Sequence, residues 1–294
     1  MNRKFTVFGG LLIGSLLFGT GLIAHDEPPK TEAEQKQKER VRSGLAEHRV
    51  KMQHAWQIIP EKASRPADSM LLLSNHFDPQ GNPIEQVVID SSGATRTINT
   101  FGEKNVWLEE LTYFGDSLDD RTVFVYNPQG LILQVLSFDI HGTITGKLDY
   151  SYHDSTNEII AVKHDASGAL QYTIVYSYQS GSRFLQNIRS IQTKADGSLM
   201  VKVEIQFEGE RRSGKKVYDA VGALNRTFAY QYTPSGDYLS ISTLSSDGTL
   251  LSRQEYHYSE DGLLARISTV GANGEIIKQI HYHYEYFKES HNNG

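Results

Sequence analysis

Gly248-Thr249-Leu250-Leu251-Ser252-Arg253-Gln254-Glu255-Tyr256-His257-Tyr258 decides the architecture, because its skeleton occurs six times along the chain. The skeleton is a glycine, an aliphatic residue two later, and large apolar or aromatic residues eight and ten later. Its first three copies are Gly142-Ile144-Tyr150-Tyr152, Gly168-Leu170-Tyr176-Tyr178 and Gly197-Leu199-Ile205-Phe207. The others are Gly222-Leu224-Tyr230-Tyr232, Gly248-Leu250-Tyr256-Tyr258 and Gly274-Ile276-Tyr282-Tyr284. Successive glycines stand 26, 29, 25, 26 and 26 residues apart, and a steady period of this length is the mark of a repeat architecture.

The even offsets fix the local structure. Side chains two, eight and ten positions on share a face only where faces alternate, which is a strand. Position two is therefore expected to point the same way as positions eight and ten. A second turn lies between copies, as in Tyr232-Thr233-Pro234-Ser235-Gly236 and Tyr258-Ser259-Glu260-Asp261-Gly262. Each period thus reads as two strands and two tight turns, with Asp, Asn or Pro opening a turn and Gly supplying positive φ. The turns opened by Asp139, Asp165 and Asp219 need these carboxylates for backbone hydrogen bonds rather than for chemistry.

Working outward, Phe77-Asp78-Pro79-Gln80-Gly81 matches Tyr126-Asn127-Pro128-Gln129-Gly130, so residues 67–120 read as degenerate cap repeats before the regular repeats of 121–286. The fold expected over 67–294 is all-β: an antiparallel β-hairpin repeat array forming one long curled sheet, open barrel or spiral. Residues 25–66 read differently. They hold nine Lys or Arg and seven Asp or Glu. Thr31 and Glu34 form a capping-box pattern, and Val41, Leu45, His48, Met52 and Trp56 recur at three- and four-residue spacing. The expectation is a charged helical connector over 31–56 that packs on the following domain or tethers it, with a boundary near Pro66. Residues 1–24 pair Arg3 and Lys4 with an uncharged run from Phe5 to Ala24, which reads as a signal peptide or N-terminal membrane anchor. The chain is then expected outside the cytoplasm, in a bacterial periplasm or at the cell surface.

Composition excludes several classes. The 294 residues include no cysteine, which removes disulfides and thiolate chemistry. The net charge of −6 argues against nucleic-acid binding. No Gly-x-Ser-x-Gly, His-Glu-x-x-His or phosphate-binding glycine loop is present, so no enzyme and no cofactor are expected.

Tyr218-Asp219-Ala220-Val221-Gly222-Ala223-Leu224 carries the pattern aromatic-Asp-x-x-Gly-x-aliphatic, with looser copies at Phe138–Gly142 and His164–Gly168. Over residues 70–286 the chain resembles the YD repeats of RHS-type proteins. That resemblance implies a hairpin array. In large RHS proteins the repeats wind into a shell around a C-terminal toxic cargo, for which the residues after the last repeat leave no room. The period here is longer than usual for YD repeats, and the Arg that often follows the turn glycine is missing.

Two sets of side chains are candidates for chemistry. Tyr150, Tyr152, Tyr176, Tyr178, Tyr230, Tyr232, Tyr256, Tyr258, Tyr282 and Tyr284 form either a core ladder with hydroxyls reaching solvent or a groove of stacked phenols for a glycan or greasy ligand. His281 and His283, two apart on one strand, would chelate a metal given a third ligand, and are otherwise solvent-facing. Glu109-Glu110 and Asp119-Asp120 are adjacent, so within each pair the carboxylates face apart. The leading function expected is a non-enzymatic exported binding or structural module contacting an envelope protein or glycan. The alternative is a carrier of a lipid or other hydrophobic ligand inside the rolled sheet, and the third is a metal-dependent hydrolase. Membrane contact is expected only through residues 5–24, and an unpaired sheet edge would allow a dimer.

Overall fold

The computed structural model describes residues 32–59, 68–179 and 187–288. The export segment 1–24, the start of the connector and Pro66 lie outside the described residues. One helix opens the described chain, α1 (Glu32–Glu47). Eighteen strands follow. The first nine are β1 (Val50–Ile59), β2 (Asp68–Phe77), β3 (Pro83–Asp90), β4 (Gly93–Phe101), β5 (Trp107–Phe114), β6 (Ser117–Tyr126), β7 (Ile132–Phe138), β8 (Ile144–His153) and β9 (Glu158–Asp165). The second nine are β10 (Leu170–Tyr178), β11 (Asn187–Lys194), β12 (Leu199–Glu208), β13 (Arg211–Tyr218), β14 (Leu224–Tyr232), β15 (Tyr238–Ser245), β16 (Leu250–Tyr258), β17 (Leu264–Gly271) and β18 (Ile276–Tyr286).

Each strand pairs antiparallel with its sequence neighbours, and β1 pairs with β18 as well as β2. The sheet therefore closes into an 18-stranded up-and-down barrel rather than an open or spiral array. Closure removes the edge strands that a curled sheet would expose. Among the described strands no edge is left for an edge-to-edge dimer.

The closing strand corrects the reading of the connector. Helix α1 ends at Glu47, and Val50–Ile59 is a strand of the barrel. Met52 and Trp56 thus belong to the sheet, not to a helical stripe, and the barrel begins before Pro66. The local reason is visible in the chain: from Val50 onward Met52, His54, Trp56 and Ile58 alternate with Gln53, Ala55 and Gln57. A β-branched and aromatic run pairs on both sides, and tertiary pairing overrides the helical spacing. Positive φ at Arg49 (55°) breaks the chain direction between the two.

One turn recurs throughout. Its first residue takes a hydrogen bond from the glycine three later and donates one to the carbonyl four later, as in Gly222 N to Asp219 O (3.0 Å) and Asp219 N to Ala223 O (2.9 Å). The same pair of bonds closes the turns at Gly81, Gly130, Gly142, Gly168, Gly197, Gly236, Gly248, Gly262 and Gly274. This is a type I turn followed by a glycine in the left-handed region. Asp139, Asp165 and Asp219 each accept two backbone N–H bonds inside their turns, as expected. The Ser245 hydroxyl, aided by the Thr249 N–H, holds the Asp247 carboxyl down at about 2. Asp139, Asp165 and Asp196 are lowered too, by hydrogen bonds from Thr143, Ser167 and Ser198 respectively. A depressed carboxyl stabilises the fold above its unfolded value of about 3.9 and loses that contribution as pH falls through the folded value. The thermal midpoint should therefore drop between about pH 4 and pH 2. A midpoint unchanged across that window would show that these bonds persist unfolded.

A second device overturns one expectation about faces. After each turn the register slips once more: Ser137 pairs with Gly146 but Phe138 with Ile144, leaving Thr145 as an extra residue. The same slip follows at Met200, Asn225, Leu251 and Ile277. Such a β-bulge turns the strand by one position. The aliphatic residue two after the glycine consequently faces away from the tyrosines eight and ten after it. Leu224 lies opposite Tyr218, whose ring sits under Lys202 Nζ (3.9 Å) on the other surface of the sheet.

The two surfaces differ sharply. Ala55, Leu73, Ile241, Tyr256, Ile267, Ile280 and Tyr282 form one buried cluster on β1, β2 and β15–β18. Phe124, Val135, Leu148, Tyr150, Ile159, Ala161, Ile174, Tyr176 and Tyr178 form a second on β6–β10. The described elements outside the sheet are α1 and one 3-10 turn, Glu103–Asn105, so a face this inaccessible is the inside of the ring. A circular ring of eighteen strands would leave an open lumen. The inner side chains of these two arcs are buried, so there the interior is filled rather than open. Between the clusters the inner face is polar but also buried: the Gln53 amide donates to Tyr284 Oη, Asn75 to Gln53 Oε1 (2.9 Å) and Gln86 to Asn75 Oδ1 (2.7 Å). This chain satisfies its buried amides across β18, β1, β2 and β3.

Helix α1 lies over one mouth of the barrel. Leu45 and Val41 pack with Val50, Phe77 and Leu263, and Arg40 pairs with Asp237 and the Ser235 carbonyl of the β14–β15 turn. Gly81, at φ +79, touches the helix so closely that an added Cβ would sit 2.2 Å from the Arg42 carbonyl oxygen. Gly222 has nearly the same φ and open space around it. Gly222→Ala should cost about 1–2 kcal/mol of backbone strain alone. Gly81→Ala should cost more and release α1, read as protease sensitivity gained between residues 32 and 49. Equal effects of the two variants would show that α1 does not press on this turn.

Candidate ligand site on the inner wall of the barrel

The repeat tyrosines are placed inward, and the hydroxyls of Tyr152, Tyr232, Tyr256, Tyr258 and Tyr284 are engaged with the fold. Tyr152, Tyr232, Tyr258 and Tyr284 donate to the backbone carbonyls of Ile132, Arg212, Tyr238 and Leu264, each twenty residues earlier, at 2.7–3.0 Å. Tyr126 donates likewise to Trp107, and Tyr256 donates to Gln254 Oε1. Hydroxyls expected at solvent are instead clamps that tie each strand to the start of the one before. Burial pushes the phenols of Tyr126 and Tyr284 up to about 12, and raises those of Tyr232, Tyr256, Tyr258 and Tyr282 as well. All stay neutral at ordinary pH. Tyr150, Tyr176, Tyr178, Tyr256 and Tyr282 are buried, whereas Tyr152, Tyr230, Tyr232, Tyr258 and Tyr284 are half-buried. Tyr230, Tyr232 and Tyr256 gather around Tyr238 with ring centroids 5.1–6.0 Å away.

The histidines face outward. His281 lies opposite Trp56 and Arg266, and His283 opposite His54, which reaches Glu285 at 3.3 Å. Burial, Arg266 and His283 together lower the His281 pKa. Among the described residues no group of three His, Asp or Glu could hold a metal, so this pair gains no third ligand there. Glu109 and Glu110 do face apart: Glu109 meets Arg121 outside (2.6 Å), and Glu110 is buried inside.

The outer surface carries ion pairs all round. Arg96–Glu85, Lys147–Asp149, Lys202–Glu204 and Arg253–Glu255 all stand outward at strand centres. A lipid-facing wall needs an apolar band at this height, where one Lys or Arg costs about 2–4 kcal/mol. The outside of the barrel is a water-facing surface.

The inner wall of β11–β14 stands apart from the rest. The register turns Ser190, Gln192, Val201, Val203, Ile205, Phe207, Val217, Phe228 and Tyr230 inward, yet none of them is buried. The buried clusters end on either side of them, with Phe228 and Tyr230 packed partly against the first. Cations explain the gap. Arg212, Lys215 and Arg226 also point inward here, with the Lys215 Nζ 5.5 Å from the Phe228 ring centroid and the Arg212 guanidinium 5.7 Å from that of Tyr230. Charged heads resist the apolar packing that fills the interior elsewhere. The result is an accessible interior surface of aliphatic side chains, aromatic rings and cations. Sequence reading passed over these cations. The signal was Arg226 and Lys278 standing four residues after their turn glycines, an even offset hidden by the bulge between.

No protein-family model matches the chain, and no curated protein matches it. Among solved structures, a porin-like protein from Bacteroides uniformis is 11% identical over 80% of this chain and 98% of its own, with a TM-score of 0.44. A porin-like protein from Bacteroides vulgatus gives 12%, 82%, 99% and 0.30 for the same quantities. The Photorhabdus luminescens Tc holotoxin pore gives 12%, 71%, 16% and 0.17. At these TM-scores the barrel assignment rests on the chain's own closed ring of strands.

Proposed function

We propose that this chain is a non-enzymatic binding barrel of the bacterial envelope that holds a hydrophobic ligand against the inner wall of β11–β14. The observation that carries the reading is the contrast between walls. Two arcs of the interior are packed, the outside is charged, and one inner arc leaves Val203, Ile205 and Val217 only half-buried. Apolar surface left accessible inside a barrel favours a ligand that removes it from water. The repeat tyrosines hold this wall open by tying its strands, and the groove of stacked phenols is not needed for the reading. The test is a titration of the full chain with the neutral fluorescent probe N-phenyl-1-naphthylamine. Saturable enhancement, lost in Ile205→Asp and kept in Ser151→Asp on the outer face, supports it. No saturable enhancement, or enhancement indifferent to Ile205→Asp in a variant that melts like the parent, overturns it.

A second reading has its own observation. The mouth opposite α1 is rimmed by exposed apolar side chains, including Phe114, Ile144, Leu170, Ile277 and Val221, the last 87% exposed at a turn tip. An apolar rim of this kind suits contact with another envelope protein. Val221→Glu should then abolish partner capture while leaving probe binding intact.

A further inference from the structure

Most of the charge on the outer wall is closed into ion pairs, but one row across the seam is not. The register sets His257 of β16 against Arg266 of β17, Arg266 against His281 of β18, and His281 against Trp56 of β1. All four face outward and all four are half-buried. In the middle of the row, Arg266 Nε and His281 Nε2 are buried atoms without a hydrogen-bond partner among the described residues. The two carboxylates on these four strands are engaged elsewhere, Glu255 with Arg253 (2.5 Å) and Glu285 with His54 (3.3 Å). Burial, then the charges of Arg266 and His283, lower the His281 pKa. A neutral imidazole therefore stands beside a guanidinium, and an oxyanion is the group that would satisfy both.

Trp56 completes the row. The chain has two tryptophans. Trp107 is turned inward and stacks on Phe124 with ring centroids 4.7 Å apart. Trp56 instead lies on the water-facing wall, with His281 on one side and Leu71 of β2 on the other. An indole there offers a flat apolar surface with a partly negative face. Two strand spacings separate Arg266 from Trp56, about 10 Å of wall. That is the reach of one sugar ring carrying an acid group.

The geometry points to a binding site on the outside of the barrel for an acidic sugar, with the C–H face of its ring on Trp56 and its carboxylate or phosphate held by Arg266 and His281. This site is separate from the interior wall of β11–β14 and does not depend on what is held there. A neutral sugar would cover Trp56 and leave the guanidinium unanswered, whereas charge-assisted N–H bonds to an oxyanion are the stronger kind. An acidic peptide suits the row less well, because the closed ring offers no sheet edge along which its backbone could pair.

The test titrates the full chain with glucuronate, glucose 6-phosphate, glucose and glucosamine. Trp56 emission is one readout and calorimetry the other, since Trp107 is enclosed. At least one of the two acids is expected to bind about tenfold or more tighter than glucose, with glucosamine weakest. The gap should narrow as salt rises from about 50 to 500 mM. Whichever acid is tighter identifies the head group. Arg266→Met should erase the preference and His281→Leu should weaken it, in variants that melt like the parent. Trp56→Leu should remove binding of acid and neutral sugar alike by calorimetry, while Lys202→Met on the outer face of β12 should change nothing. Glucose binding as tightly as both acids overturns the inference, as does a preference that survives Arg266→Met. A glutamate-rich peptide that shifts Trp56 emission where no sugar does would assign the row to a protein partner and overturn it as well.

Discussion

Tyr176→Ala is expected to destabilise the barrel by about 3–5 kcal/mol, the range for removing a large aromatic from a filled core. The residue is 1% exposed, on the inner face of β10 between Ile159 of β9 and Ser190 of β11. Ile174, Tyr178 and Ala161 fill the space around it, so collapse into the cavity is blocked on several sides. Tyr172, on the same strand and face, is only half-buried and pairs with Lys163 and Lys194. Tyr172→Ala should cost less than half as much. Urea midpoints of the two variants measure the difference. If they shift equally, the interior over β10 is not filled in the way the burial of Tyr176 indicates.

The second large effect is expected at the seam. Ala55 is fully buried on β1, opposite Leu73 of β2 and Tyr282 of β18. In Ala55→Glu a carboxylate would have to enter this apolar cluster without a cation, which costs several kcal/mol, and its length would push the three strands apart. Because β1 is the strand that joins the two ends of the meander, failure there exposes the edges of β2 and β18 together. The expected result is loss of the parent's elution peak on size exclusion. Ala229→Glu makes the same chemical change on the exposed outer face of β14 and should stay within about 0.5 kcal/mol of the parent. An Ala55→Glu variant that elutes like the parent would show that ring closure does not depend on this contact.

The hairpin meander was legible because turn chemistry is local. Gly222 and its equivalents need positive φ, Asp219 needs two N–H groups, and the residues between alternate strictly enough to mark strands. What escaped was non-local. Whether β18 would meet β1 depends on pairing between residues more than 200 positions apart, and no periodicity reports it. The bulges at Thr145, Met200 and Leu251 add one residue without changing composition, so the even offset from Gly142 to Ile144 and Tyr150 looked like a shared face when the two point opposite ways. Val50–Ile59 carried both a helical stripe and a strand alternation, and the neighbours on either side decided between them. The candidate site was less legible still. The tyrosines drew attention because they repeat, yet they hold the wall together, while Lys215 and Arg226 follow no common repeat position.

The hydrogen bond from Gln53 to Tyr284 joins residues 231 positions apart, and it sets the order of events in folding. As the chain emerges from the N-terminus, β1 is available first and must wait for β18, the last strand made. Each hairpin can zip on its neighbour as it appears, but until residues 276–286 arrive the growing sheet has two unpaired edges and an unlidded apolar face. Loop-closure entropy for so long a separation adds little to the final balance, yet the search is slow and the waiting species is prone to associate with its own kind. The last eleven-residue strand therefore acts as a latch, pairing with β1 to close the ring.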